Sequence, residues 1–246
     1  MKEEQIDFPL HSFYGDIHSS YDRVNRIFTF GRDRSWRNRA AKELLKSQPR
    51  RVLDLCTGTG DFVLELARQS EHTDKGIKLT GFDFSSDMLK QARIKLKGFQ
   101  KGIKQAEIHF LEGDAGEMPF EDGHFDSMGI TFGIRNLVYK NSNATKHLAE
   151  MSRVIRTDGE LVVLESSKPT SPLWRIFNGF YLRFILPYLG GLISGNMKAY
   201  RYLASSSKNY YTMEEMAKIL EVAGFDLIRS KSLFLGSVML LVLHKR

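Results

Sequence analysis

The chain has 246 residues, 42% of them hydrophobic and 26% charged, and carries a net charge of +7 at pH 7. That is enough apolar material for one sizeable core, and no internal repeat, low-complexity run or Gly/Pro/Ser-rich linker divides it, so 1–246 reads as a single domain. A lone Cys56 excludes an internal disulfide and fits a reducing compartment; no Cys/His spacing suggests a metal, and the mild basic excess suits an anionic membrane or nucleic acid without deciding between them. The first residues carry Glu3, Glu4 and Asp7 and no apolar run, so neither a secretory signal nor an Arg-rich transit peptide is read there, and a cytoplasmic chain is expected.

In chain order, residues 8–47 read as a helical cap dense in Arg and aromatic residues. From Arg51 onward strands and helices alternate, which points to a parallel sheet with helices on both faces. The expected strands are 51–56, 78–84, 106–112, 125–132 and 159–166, with helices at 61–70, 86–98 and 143–156. A lid insertion at 170–208 breaks the alternation. A helix at 212–223 ending at Gly224 follows, then strands at 226–234 and 237–244, whose short Gly-Ser connection suggests an antiparallel hairpin at the sheet edge. Seven strands with that finish match an α/β, Rossmann-like class I methyltransferase fold, whose ligand should lie at the carboxyl ends of the strands.

The first strand, Val52-Leu-Asp-Leu55, runs into Cys56-Thr-Gly-Thr-Gly60, and the second ends on Asp83. Gly58 and Gly60 let a ligand approach the backbone, and an acid at the tip of the next strand can grip the hydroxyls of a ribose. A dinucleotide fingerprint needs a small residue where this chain has Val63. Asp54 and Asp61, flanking the turn, would also repel a pyrophosphate and suit a cation. S-adenosylmethionine is an adenosine with a sulfonium and an ammonium and no phosphate. It fits, with its adenosine at Asp83 and its amino-acid end near Asp54 and Gly58. A third turn, Gly113-Asp-Ala115, offers an acidic acceptor of the kind the adenine amine needs. Cys56 reads as a small packing residue, and His109, His124 and His147 as packing or surface residues.

Several segments together resemble one family. They are Tyr21-Asp-Arg-Val-Asn25, Leu53-Asp-Leu-Cys-Thr-Gly-Thr-Gly-Asp61, Ala115-Gly-Glu-Met-Pro-Phe120, Thr131-Phe-Gly-Ile-Arg-Asn136, Leu164-Glu-Ser-Ser-Lys-Pro169 and Tyr200-Arg-Tyr-Leu203. From about Ser20 to the end, the chain resembles the UbiE/COQ5/MenG family of quinone-biosynthesis C-methyltransferases. The resemblance implies S-adenosylmethionine as methyl donor and a prenylated hydroquinone as acceptor, either demethylmenaquinol or a ubiquinol precursor. It implies cofactor contacts at Thr59, Asp83, Asp114, Ala115 and Thr131 beside Gly58, and an acceptor site lined by Tyr21, Arg135 and Asn136. Methylating a ring carbon needs an electron-rich ring, which loss of a hydroquinone proton supplies. Arg135 would stabilise the phenolate or order a proton-accepting water, and Tyr21 and Asn136 would orient the ring oxygens.

The chain departs from the family pattern after Asn136. There Leu137-Val-Tyr-Lys-Asn-Ser-Asn143 is longer and lacks an acid, and Arg156-Thr-Asp-Gly-Glu160 stands where Lys-Pro-Gly-Gly is common. The apolar stretch 172–193 carries Arg175, Arg183, Asn178 and Pro187, which argue against a membrane span. It reads as a lid, with shallow membrane contact or a homodimer interface as alternatives. Nucleic-acid methylation is not expected, because the basic charge is diffuse and no Asn/Asp-Pro-Pro-Tyr run serves a flipped base. Two rival readings remain: methylation of another small apolar molecule, or a non-catalytic cofactor-binding scaffold of a quinone-synthesis assembly.

Overall fold

The structure, a computed structural model, describes residues 21–71, 76–99, 104–169, 171–185, 188 and 210–246. The expected helical segment before Tyr21, and 170, 186–187 and 189–208 of the expected lid with its Tyr200-Arg-Tyr-Leu203 motif, lie outside the described residues. In chain order the elements are α1 (Tyr21–Phe28), α2 (Arg32–Leu44), β1 (Arg51–Leu55), α3 (Asp61–Ser70), β2 (Ile77–Asp83), α4 (Ser86–Phe99), β3 (Ala106–Glu112) and β4 (Phe125–Thr131). They continue with α5 (Ile134–Val138), α6 (Ala144–Val154), β5 (Ile155–Ser166), α7 (Pro172–Phe180), α8 (Met213–Val222), β6 (Phe225–Leu233) and β7 (Val238–Lys245).

The strands form one seven-stranded sheet in the order β3-β2-β1-β4-β5-β7-β6. β1 pairs parallel with β2 and β4, β2 with β3 and β4 with β5, whereas β7 runs antiparallel to both β5 and β6. The central strands are apolar on both faces because both are covered. Leu53, Leu161 and Val163 enter a cluster with Met151, Met216 and Leu220. Their neighbours Val52, Val162 and Leu164 enter a second cluster with Trp36, Phe62 and Leu66 on the opposite face. The outermost strand β6 is exposed along most of its length and carries Arg229 and Lys231, charges that discourage edge pairing.

The sheet, the edge hairpin and most boundaries follow the sequence expectations; α5 is not among the expected helices, and two further elements differ. Arg32–Leu44, expected within a cap, is part of the helical layer on the sheet: Trp36, Ala40, Ala41 and Leu44 are buried with Phe62 and Val162. β5 begins at Ile155 rather than 159. Ile155 pairs with Phe125 before a register shift, and Asp158 takes the left-handed conformation (φ 58°) that carries the strand past the irregularity. A capping box between Thr212 and Glu215 starts α8.

The chain builds outward from β1 through β2 to β3, then crosses back to add β4 and β5 on the other side. The strand order therefore reverses between β1 and β4, and the crevice at their carboxyl ends is where this kind of sheet binds ligands.

Candidate functional site

A cavity of about 500 Å³ opens at that switch point. It is lined by Cys56, Thr57, Gly58 and Thr59 after β1, Asp83 and Phe84 after β2, Glu112 to Ala115 after β3, and Thr131 to Gly133 after β4. Strand ends converge there because each parallel strand delivers its following turn to the same edge.

The glycine turn is bound tightly to the second strand. Thr57 N–H donates to the Phe82 carbonyl (3.1 Å), and Gly58 N–H donates to Asp83 Oδ2 (2.8 Å). Asp83 Oδ1 accepts from the Ser85 amide (2.9 Å), so one carboxylate splints two turns. Gly58 has φ +54°, and a Cβ there would meet nothing within 4 Å, which leaves its face of the turn open to a ligand. Gly60 differs from the expectation. A Cβ at Gly60 would lie 3.0 Å from Ala92 Cβ and 3.2 Å from Phe110, and Gly60 does not line the cavity. Glycine is required there by φ +80° and the close passage of α4 and β3, not by a ligand.

Asp54 sits at the end of β1, 1% exposed, with Oδ2 accepting from Thr57 Oγ1 at 2.6 Å. Its Oδ1 is buried with no hydrogen-bond partner among the described residues. Burial pushes its carboxyl up to about 7, with the Asp83 charge adding to the rise while Thr57 and Arg37 oppose it. Asp54 is not itself among the cavity-lining residues, but Cys56, Thr57 and Gly58 beside it are. An orphaned carboxylate oxygen, an open glycine and the cavity acids Asp61, Asp83, Glu112 and Asp114 suit a cationic nucleoside and not a pyrophosphate. The residues present therefore fit S-adenosylmethionine.

The remaining expected residues fall as follows. Thr59 lines the cavity, but its hydroxyl donates to Asp22 Oδ1 (2.7 Å) and accepts from Lys95 Nζ (2.8 Å). Lys95 also pairs with Asp22 and Asp61, each at 2.5 Å, which fastens α1 across the turn. Burial raises the Asp61 carboxyl, yet Arg37 and Lys95 hold it below the usual carboxylate range. Asp114, Ala115 and Thr131 all line the cavity, and Asp114 Oδ1 accepts from Gly116 N (2.8 Å). Asn136 lines it as well, at the start of α5. Arg135 does not; it is 6% exposed, and its amide donates to Glu165 Oε2 at 3.3 Å. Burial pushes the Glu165 carboxyl up, and the Arg135 charge opposes the rise. Tyr21 belongs to α1.

Several lining residues carry no sequence signal. Phe84, Met88 and Leu137 form apolar wall. Asn141 and Asn143 line the cavity from the segment that departs from the family pattern, and His147 from α6, with Asn141 Nδ2 donating to the Asn136 carbonyl at 2.8 Å. His147, read as packing or surface, is 7% exposed and faces the cavity. Cys56 and Phe132 both hold positive φ (57° and 58°) directly after β1 and β4, a strain of about 1–2 kcal/mol each at the switch point. Burial first, then the Asp83, Asp54 and Glu165 charges, push the Cys56 thiol up, which disfavours the thiolate.

The raised Asp54 carboxyl predicts proton-linked ligand binding. Its folded-state value lies above the unfolded one, so unliganded stability should fall as pH rises from about 4 towards 7. A ligand ammonium beside Asp54 would favour the carboxylate, so near neutral pH binding should release protons from Asp54. Calorimetric enthalpies of S-adenosylhomocysteine binding in buffers of different ionisation enthalpy should give that slope, and Asp54→Asn should flatten it. An unchanged slope in the variant would exclude Asp54 as the source.

Residues 1–245 match the model of the ubiE/COQ5 methyltransferase family. The chain is 39% identical over 216 residues to the demethylmenaquinone methyltransferase of Deinococcus radiodurans, covering 88% of this chain and 84% of that protein. It is 40% identical over 213 residues to the demethylmenaquinone methyltransferase of Thermus thermophilus, covering 87% and 91%. Among solved structures, a SAM-dependent methyltransferase from Aquifex aeolicus superposes with a TM-score of 0.56 at 19% identity, covering 84% of this chain and 89% of that one; this likeness concerns the fold.

Proposed function

From the premise that the chain belongs to the ubiE/COQ5 methyltransferase family, we propose that it methylates a ring carbon of a prenylated hydroquinone, with demethylmenaquinol as the acceptor. It is an S-adenosylmethionine-dependent C-methyltransferase of quinone biosynthesis, and we read 1–246 as one catalytic unit. The observation that supports the acceptor reading is the meeting of the glycine turn, Asp83, Thr131, Phe132, Gly133 and Asn136 on one cavity.

When bound, S-adenosylmethionine supplies an electrophilic methyl group on a sulfonium sulfur. Asp54, Gly58, Thr59, Asp83, Asp114, Ala115 and Thr131 would hold it, with Gly60 shaping the turn. Asn136 offers its amide to a ring oxygen of the acceptor. Arg135, buried directly beside it in the chain, supplies a fixed positive charge that favours the phenolate. Phe84, Met88 and Leu137 give the cavity an apolar wall against which the acceptor ring can be positioned. Tyr21, in the first turn of α1, would be the third acceptor-side residue.

A prenylated acceptor resides in lipid, and α7 is built to meet lipid. Leu173, Ile176, Phe177 and Phe180 fall at helical i, i+3, i+4 and i+7 spacing, and all are exposed. Trp174 anchors the opposite side, its Nε1 donating to Ser237 Oγ at 2.8 Å and its ring meeting Phe234. Arg175 and Arg183 are exposed beside the stripe, so a shallow, peripheral seat on an anionic inner membrane face is the reading that uses them. Among the described residues no helix is long and apolar enough to cross a membrane.

Labelled S-adenosylmethionine should transfer its methyl group to a short-chain demethylmenaquinol in detergent, and to the long-chain acceptor in anionic vesicles. Phe177→Glu should slow only the vesicle reaction. Transfer to a ubiquinol precursor but not to demethylmenaquinol would reassign the acceptor, and transfer to neither would sink the quinone reading.

A further inference from the structure

His147 stands on α6 with 8% of its side chain exposed, and its Nδ1 lies 2.9 Å from the Leu137 carbonyl oxygen. A carbonyl only accepts, so Nδ1 carries the proton, and the tautomer follows from this partner. In the neutral ring Nε2 is then an acceptor. That nitrogen lies 3.8 Å from Asp114 Oδ1, beyond hydrogen-bond reach, and His147 and Asp114 both line the cavity. The approach is permitted by Gly116, where a Cβ would come within 3.3 Å of His147 Cδ2. His147 Nε2 and Asp114 Oδ1, which also accepts from Gly116 N (2.8 Å), thus face one corner of the cavity, a corner that suits a ligand group offering two N–H bonds. The adenine end of S-adenosylmethionine has one such group, its exocyclic amine.

We propose that His147 Nε2 is a second acceptor for the adenine amine beside Asp114, and that it is a specificity-determining residue for adenine over a 6-oxo purine. The inference rests on the reading that the Asp114-Ala115 turn faces adenine. It adds a contact from α6, an element outside the three strand-end turns. A 6-oxo base would aim an oxygen lone pair at two acceptors, so the corner rejects it by repulsion as well as by lost bonds.

The test is calorimetric binding of S-adenosylhomocysteine and of S-inosylhomocysteine to the purified full chain, without turnover. The unsubstituted protein should prefer the adenosyl ligand by roughly 100-fold or more. His147→Phe, which keeps the ring volume and removes the acceptor, should reduce that preference about 5- to 10-fold. Because the ratio is read within one variant, a general loss of packing cancels. Asp114→Asn should reduce the ratio as well. If Asp114→Asn changes the ratio and His147→Phe leaves it untouched, the proposal fails and the adenine placement stands. If neither changes it, both fail.

Discussion

Asp83→Ala should weaken S-adenosylhomocysteine binding by at least about 100-fold, the loss of two charge-assisted hydrogen bonds to a ribose diol. The carboxylate stands at the carboxyl end of β2, 7% exposed, on the cavity wall. It also accepts from the amides of Gly58 and Ser85. Alanine therefore removes the proposed ribose contact and the splint between the two turns in one step. Two donors would be left without their acceptor in a nearly closed site, at about 1–3 kcal/mol each, so thermal stability should fall along with affinity. Asp83→Asn separates the two effects. Its amide keeps one acceptor and turns an N–H₂ towards a backbone N–H, so it should bind better than alanine and worse than the acid. A calorimetric affinity for Asp83→Ala within a few-fold of the unsubstituted chain would rule out the ribose role.

Removing Asp83 should also be felt at Asp54, whose carboxyl is raised in part by the Asp83 charge. In Asp83→Ala the pH window of the unliganded stability decline should therefore close at a lower pH. The two acids are two parts of one electrostatic arrangement, a like-charged pair that a cation relieves.

The residues that sit on strand-end turns were legible in the chain because a parallel strand announces its own end. An apolar run such as Val52–Leu55 stops, and the next turn lies at the binding edge whatever the rest of the fold does. That logic reached Gly58, Asp83, Asp114 and Thr131, all of which line the cavity. It misjudged Gly60, because its need for glycine comes from Ala92 and Phe110, neighbours brought by α4 and β3. It passed over His147 because a histidine on an amphipathic helix looks like any packed ring. Only the return of α6 to the cavity sets it opposite Asp114. The placement of Arg32–Leu44 was hidden for a similar reason: an Arg-rich helix looks exposed until Trp36, Ala40 and Leu44 are seen to share one buried stripe.

On the proposed role of Arg135 as an electrostatic stabiliser of the acceptor, Arg135→Ala should lower methyl transfer by about 10²–10³-fold while S-adenosylhomocysteine affinity changes little. A buried arginine beside a buried glutamate is also a structural pair, so a rate loss alone decides nothing. Glu165 is fully buried at the end of β5, where its oxygens accept from the amides of Ser166 and Arg135. The nearby Tyr210 hydroxyl is pushed up by burial first and then by the Glu165 charge, with Arg135 opposing. Taking away the guanidinium leaves the carboxylate uncompensated, which costs about 3–5 kcal/mol and should lower the melting temperature by about 6–20 °C. Glu165→Gln placed in the Arg135→Ala chain removes the stranded charge and should restore most of that loss. If Arg135 serves the reaction, turnover should stay low in the double variant although stability has returned. If turnover recovers in step with the melting temperature, Arg135 is a structural partner of Glu165, and Asn136 is left as the polar group of that segment facing the acceptor.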